Sequence, residues 1–137
     1  MSAWLAVEGF DVWNLELRGH GHSGGKRGHV NRWQDYVDDV RAAAATLNPD
    51  FWMFAHSMGG LVTLESLRLG LTPRRVALSN PLLGVRGHAP VFKEAAARGL
   101  SYVWPSLSLT NELNPGMLSR DPAVGQAYSA DTLVYDT

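Results

Sequence analysis

The stretch that decides the fold runs from residue 51 to residue 60 and has the sequence FWMFAHSMGG. Its apolar first half favours a short parallel strand covered on both faces. A turn of small residues follows, with Ser57 at its apex, and a helix is predicted to begin at Gly59 and Gly60. This order is typical of a nucleophile elbow, the sharp strand-to-helix turn that lifts a serine hydroxyl out of a sheet. The stretch therefore indicates a serine hydrolase with Ser57 as its nucleophile.

The elbow also predicts the position of one further catalytic group. In such a turn the backbone N–H after the serine points toward the oxygen that becomes negative during acyl transfer, which here assigns Met58. Ala55 departs from the usual Gly-x-Ser-x-Gly pattern, and its methyl group is expected to add crowding at a tight turn. The alternative interpretation is a plain helix start in which Ser57 is only an N-cap.

Helices and strands alternate on both sides of this stretch. Residues 2–8 indicate a helix ended by Gly9, residues 10–17 alternate like a strand, and residues 18–29 form a glycine-rich loop. Asn31 and Gln34 resemble a capping box, and apolar residues at helical spacing follow up to Leu47, with Asp35 on the solvent side. Residues 76–79 predict another short strand. The order predicts an α/β fold of three layers around a parallel sheet with right-handed crossovers.

Composition excludes several classes of function. The 137 residues are enough for one modest domain, and 45% hydrophobic with 18% charged residues fits a soluble globular protein. The net charge of -1 gives no reason to expect nucleic acid as a partner. The absence of cysteine excludes disulfides, thiolate zinc sites and cysteine nucleophiles. No signal peptide or membrane-spanning run is recognisable, so we expect a cytoplasmic protein.

The histidines give no clear general base. His56 is adjacent to the serine, but neighbouring side chains project in different directions, so we expect it not to reach the hydroxyl. The others are His20, His22, His29 and His88. An i,i+2 pair such as His20 and His22, without a third ligand, does not indicate a metal site. The loop at residues 18–25 matches no phosphate-binding pattern in full, and we expect neither a metal nor a cofactor.

Several segments together resemble one branch of a known superfamily. Residues 14–25 (NLELRGHGHSGG) resemble the loop after the fourth strand in α/β-hydrolases of the monoacylglycerol lipase and lysophospholipase type. Residues 28–30 (GHV), 36–40 (YVDDV) and 55–60 (AHSMGG) continue the match in order. Residues 105–109 (PSLSL) and 117–121 (MLSRD) resemble the cap of that branch, so the resemblance covers nearly the whole chain.

The resemblance implies hydrolysis of monoacylglycerol or lysophospholipid esters by a Ser-His-Asp triad. It assigns Ser57 as the nucleophile and the Met58 N–H as half of the oxyanion hole. The triad Asp and His of the family follow the cap, and none of Asp121, Asp131 and Asp136 has the position of that acid. The second oxyanion donor of the family precedes the first helix. We therefore expect the 137-residue chain alone to be almost inert.

The same resemblance implies a partial α/β-hydrolase fold that lacks the third strand and the C-terminal strands. Residues 1–84 would form a partial core with the elbow, and residues 85–137 the start of a helical cap. The strand at residues 10–17 would then be separated from that at residues 51–55 by a gap of roughly 10 Å, two strand spacings. On this interpretation the chain is an internal fragment of a longer hydrolase.

The apolar cap residues supply the expected substrate contacts. The resemblance implies a lid over an acyl-chain tunnel, which can rest on a membrane surface and bind a lipid or ester substrate. The residues assigned to substrate binding are Phe92, Leu100, Trp104 and Leu107. The alternative is that these side chains only pack on the core.

Two other functions stay open from the sequence. One is a short-chain carboxylesterase or a peptidase of the same fold. The other is a truncated hydrolase that has lost its chemistry and serves only as a binding module.

Overall fold

A computed structural model describes residues 1–84 and 114–134 of the chain. The first segment contains, in order, α1 (Ser2–Val7), α2 (Trp33–Ala44), β1 (Trp52–His56), α3 (Ser57–Arg68) and β2 (Arg75–Ser79). The second segment contains a 3-10 turn (Pro115–Met117) and α4 (Pro122–Ala130). The predicted strand, helix and strand around residue 57 are therefore confirmed in type and order.

The two strands form a parallel sheet. Trp52 of β1 pairs with Arg75 of β2, and the register continues to His56 and Ser79. α3 connects the two strands and packs against β1 and α2. This strand–helix–strand unit is the basis of the α/β class, which is confirmed.

A small core holds α2 and α3 together on one face of the sheet. Its fully buried side chains are Val37 of α2 and Val62 of α3, and Tyr36 and Val40 add to it. Partly buried apolar residues from the strand and loops pack around this core: Leu17, Val30, Met53, Leu69 and Leu71.

The prediction that β1 is covered on both faces is wrong for the described chain. Met53 and Ala55 are half-buried, whereas Trp52 is 58% and Phe54 is 48% exposed. The described helices α2 and α3 pack on the Met53 side. On the opposite face, Trp52 is shielded only in part, by the Phe10 ring at 5.9 Å and the Arg75 guanidinium at 5.7 Å.

The strand predicted at residues 10–17 is also wrong. Within residues 1–84 this segment has no partner strand, because a groove of about 460 Å³ separates residues 13–17 from β1. Alternating side chains specify two faces, but a strand also needs a second backbone within hydrogen-bonding distance. The groove lies where the resemblance implied a gap in the sheet.

The start of α2 differs from the prediction by one residue. Its N-cap is Arg32 rather than Asn31, and in place of the predicted Asn31–Gln34 capping box the Asp35 carboxylate accepts from the Arg32 backbone N–H at 3.2 Å. The Arg32 guanidinium donates to Asp35 at 2.7 Å, and this hydrogen bond lowers the pKa of the Asp35 carboxyl. Asp35 is therefore buried with a partner instead of lying on the solvent side as predicted.

The loop at residues 18–29, confirmed as a loop, is attached to α2 by an ion pair. Arg18 donates two hydrogen bonds to the Asp39 carboxylate, at 2.7 and 2.6 Å. A bidentate hydrogen bond from a guanidinium stabilises the charged form of a carboxylate, so the pKa of Asp39 lies below its usual value.

We expect Asp39→Asn to lower the free energy of unfolding at neutral pH by about 1 kcal/mol. Because the folded-state pKa is depressed, the stabilisation is complete above the unfolded-state pKa of about 3.9 and is lost as pH falls through the folded-state value. Urea denaturation at pH 7 and near pH 2.5 measures the difference in the free energy of unfolding between wild type and variant. Asp50→Asn, at a pair with Arg74 that is exposed and 3.5 Å apart, should change stability by less than about 0.5 kcal/mol. If Asp39→Asn lowers the free energy of unfolding by the same amount at both pH values, the ion-pair explanation is contradicted.

Candidate active site

The backbone turns sharply where β1 meets α3. His56 ends the strand in extended geometry (φ -124°, ψ 146°), and Ser57 follows at φ 49° as the first residue of α3. A left-handed conformation is strained for most residues other than glycine, asparagine and aspartate, and a strained one persists only where surrounding contacts impose it. Ser57 is half-buried, so its side chain is not enclosed in the core, and as the first residue of α3 it does not lie in the middle of a helix.

This geometry argues against Ser57 as a simple helix cap. The N-cap of α3 is His56, and no side chain within the described segments caps that end. The first N–H groups of a helix have no acceptor inside the helix. Met58 lies in this first turn, where its N–H and the positive end of the helix dipole can stabilise a developing negative charge.

Small residues at the start of α3 allow close packing against β1 and against the residues that follow β2. A Cβ added to Gly60 would lie 2.8 Å from the Pro81 Cβ, too close for two carbon atoms. At Gly59 an added Cβ would lie 4.0 Å from the Ala55 Cβ, which is an ordinary contact. The Ala55 methyl therefore leaves room even for a Cβ at position 59, and Gly60 is the glycine that close packing requires.

No described histidine is bonded to Ser57. His56 Nδ1 lies 3.2 Å from Ser79 Oγ, the residue it faces across the sheet. His20 Nδ1 lies 3.0 Å from the Arg18 carbonyl, and its ring packs against Tyr36. Within residues 1–84 and 114–134, the Ser57 hydroxyl forms no hydrogen bond with an imidazole or a carboxylate. The general base is therefore not assigned by the described residues.

The carboxylates in the segment that resembles the cap do not complete the site, as expected from the sequence. Asp121 accepts a hydrogen bond from the Ala123 N–H at 2.9 Å and caps α4, and Asp131 accepts one from the Leu133 N–H at 2.9 Å. Both carboxylates thus serve local backbone groups. His88 and Asp136, which the sequence did not assign to the site, lie outside the described residues. So do the four residues assigned to substrate binding: Phe92, Leu100, Trp104 and Leu107.

The structure adds a contact that the sequence analysis missed. The Leu82 N–H, two residues beyond Asn80, donates to the Ser57 carbonyl at 3.0 Å. Asn80 has φ 44° and, with Ser57, is one of two described non-glycine residues with positive φ. The Asn-Pro dipeptide at 80–81 predicts the end of β2, but its contact with the elbow depends on the register of the sheet.

Metal and membrane features are limited in the described part of the chain. Its His, Asp and Glu side chains form no group of three that could hold a metal ion. None of its helices has the length and apolar character required to cross a bilayer.

Comparisons with known proteins give a consistent result. Residues 1–137 match the family described as serine aminopeptidase, S33. The chain is 33% identical over 130 residues to phospholipase YtpA of Bacillus subtilis, covering 91% of this chain and 50% of that protein. It is 36% identical over 138 residues to a monoacylglycerol lipase of Mycolicibacterium smegmatis, covering 96% of this chain and 49% of that protein.

A solved structure agrees with these sequence matches. The crystal structure of Paleococcus ferrophilus monoacylglycerol lipase superposes with a TM-score of 0.72 at 35% identity, covering 86% of this chain and 46% of that chain. The chain thus spans about half the length of the relatives named here.

Proposed function

This chain belongs to the serine aminopeptidase S33 family of α/β-hydrolases, and from that premise we propose that the protein carrying it hydrolyses acyl esters at Ser57. The observation that carries the proposal is the left-handed Ser57 between β1 and α3. Backbone strain of this kind at a half-buried serine is typical of a nucleophile held ready for attack.

The proposed reaction has two steps. The Ser57 Oγ bonds to the ester carbonyl carbon while a general base, a histidine in the triad that the resemblance implies, takes its proton. The Met58 N–H donates to the carbonyl oxygen as it becomes negative. The C–O bond to the alcohol then breaks, and the alcohol leaves with the proton from the base. Water attacks the acyl-serine in the same way and releases the carboxylic acid.

The proposed substrates are monoacylglycerols or lysophospholipids. The support comes from the relatives, one named a phospholipase and others named monoacylglycerol lipases. Two apolar side chains follow the turn next to the elbow, Leu82 at 39% and Leu83 at 71% exposure. Exposed leucines beside the nucleophile suit an acyl chain, and contact of the cap with a membrane surface is part of the same proposal.

A non-catalytic binding module is the second candidate. It is favoured by one observation, the lack of an imidazole or carboxylate bonded to Ser57 in the described chain. Without a base, the serine hydroxyl is a weak nucleophile.

Labelling with a fluorophosphonate separates these candidates. The natural gene product that contains these 137 residues should form a covalent adduct, which peptide mass spectrometry should locate on Ser57. Turnover of p-nitrophenyl esters from C2 to C16 should then rise with chain length for a lipase and fall for a short-chain esterase. A protein that resists labelling, or is labelled elsewhere, would favour the binding module.

A further inference from the structure

The residues that leave β2 contact the elbow at two points. We define Asn80, Pro81 and Leu82 as the exit turn. We propose that the exit turn positions the Ser57 nucleophile, an inference that rests on the proposed function and adds a second element to the site.

The first contact is a hydrogen bond to the backbone of the nucleophile itself. The Leu82 N–H donates to the Ser57 carbonyl at 3.0 Å. A carbonyl oxygen has two lone pairs, so it can accept this bond in addition to the helical one from four residues ahead. The bond restrains the peptide group that follows Ser57 and contains the Met58 N–H. The bond therefore restrains the positions of the proposed nucleophile and of the proposed oxyanion donor together.

The second contact is steric. Pro81 packs on Gly60, which is buried one helical turn into α3, and an added Cβ there would lie 2.8 Å from the Pro81 Cβ and 3.0 Å from its Cα. The proline ring and the glycine thus fix the distance between the exit turn and the start of α3. No side chain larger than hydrogen fits at position 60 without moving one of them.

The sheet register brings these contacts into place. His56 and Ser79 are the last pair of the parallel ladder, and their side chains meet at 3.2 Å between Nδ1 and Oγ. Directly after this pair, each strand continues with a left-handed residue, Ser57 at φ 49° and Asn80 at φ 44°. Asparagine tolerates this conformation better than most residues, whereas serine does not.

The strain at Ser57 explains why such support is needed. A left-handed L-residue other than glycine or asparagine is strained and relaxes unless neighbouring contacts prevent it. A relaxed Ser57 would move its Oγ and the Met58 N–H away from the substrate carbonyl. Because a misplacement of about 1 Å can lower turnover by about 100-fold, the exit turn should affect kcat far more than substrate binding.

The test uses Gly60→Ala in the natural gene product, with Gly84→Ala as the control, since a Cβ at Gly84 meets no atom of the described residues within 4 Å. Gly60→Ala should lower kcat by about 10- to 100-fold with KM changed less than threefold. Hydrogen exchange at the Leu82 amide should accelerate at least about tenfold as its bond to Ser57 is lost. Gly84→Ala should change neither. Adding Pro81→Gly removes the clashing Cβ and should restore part of kcat and part of the protection of the Leu82 amide.

The outcomes separate the inference from the proposed function. A Gly60→Ala protein that loses Leu82 protection but keeps kcat overturns the positioning role. The role is also overturned if Gly60→Ala lowers kcat and the added Pro81→Gly fails to raise it again. If Gly60→Ala does not fold, Asn80→Gly and Asn80→Val replace it, and equal kcat for both overturns the role. A wild-type protein without esterase activity and without a fluorophosphonate adduct at Ser57 overturns the proposed function instead.

Discussion

Ser57→Ala is expected to lower kcat for acyl esters by about a million-fold in the natural gene product, because the acyl group then has no covalent acceptor. The elbow geometry should be retained, since alanine differs only by the missing oxygen. KM should change little if the substrate is held mainly by apolar contacts. Steady-state kinetics with a long-chain monoacylglycerol and loss of the fluorophosphonate adduct are the measurements.

Ser129→Ala is the matched control for this substitution. Ser129 is an exposed serine on α4 whose hydroxyl donates to the Gly125 carbonyl at 3.1 Å, a local contact far along the chain from the elbow. It should leave kcat and labelling unchanged. Retained labelling in the Ser57→Ala protein would remove Ser57 from the mechanism and leave the strained turn unexplained.

The second large effect is expected from the backbone at Met58. Incorporating the α-hydroxy analogue of methionine at this position replaces the amide N–H by an ester oxygen and keeps the side chain. Loss of one oxyanion donor should lower kcat by about 100- to 1,000-fold. The Met58 N–H has no helical acceptor in the first turn of α3, but the Ser57 carbonyl becomes a weaker ester acceptor for the Leu82 N–H, so stability should fall by no more than about 1 kcal/mol. Kinetics and thermal unfolding of the semisynthetic protein measure both.

The same backbone change at Leu69 provides the comparison. Its N–H donates to the Glu65 carbonyl at 3.0 Å, at the other end of α3. The ester there should lower stability by about 1 kcal/mol and leave kcat unaltered. If the esters at 58 and 69 have equal effects on kcat, the Met58 N–H does not bind the oxyanion.

Local sequence was sufficient for the elements around the elbow. Residues 52–56, 57–68 and 75–79 carry their own signals, an apolar run, a helix start with two glycines and a short strand ended by Asn-Pro. Such signals depend on neighbours within a few residues. The type and order of these elements could therefore be predicted from the chain alone.

Features that depend on distant partners could not be predicted in this way. Residues 10–17 have the alternation of a strand, but within residues 1–84 nothing pairs with them. Asp35 was predicted to face solvent, but it is buried because Arg32 donates a hydrogen bond to its carboxylate. The Leu82 bond to Ser57 joins residues 25 positions apart, and only the register of the sheet brings them together. The assignment of Ser57 as nucleophile stays a prediction until it is labelled.

The open side of β1 has a practical consequence for handling the 137-residue chain. In the described sheet of two strands, the backbone edge of β1 opposite β2 has no ladder partner, and Trp52 and Phe54 are exposed beside it. An unprotected edge next to aromatic surface is a template for pairing with other molecules. Purified material should consequently self-associate as concentration rises, and a solubilising fusion or a charged substitution at Phe54 would improve its behaviour in solution.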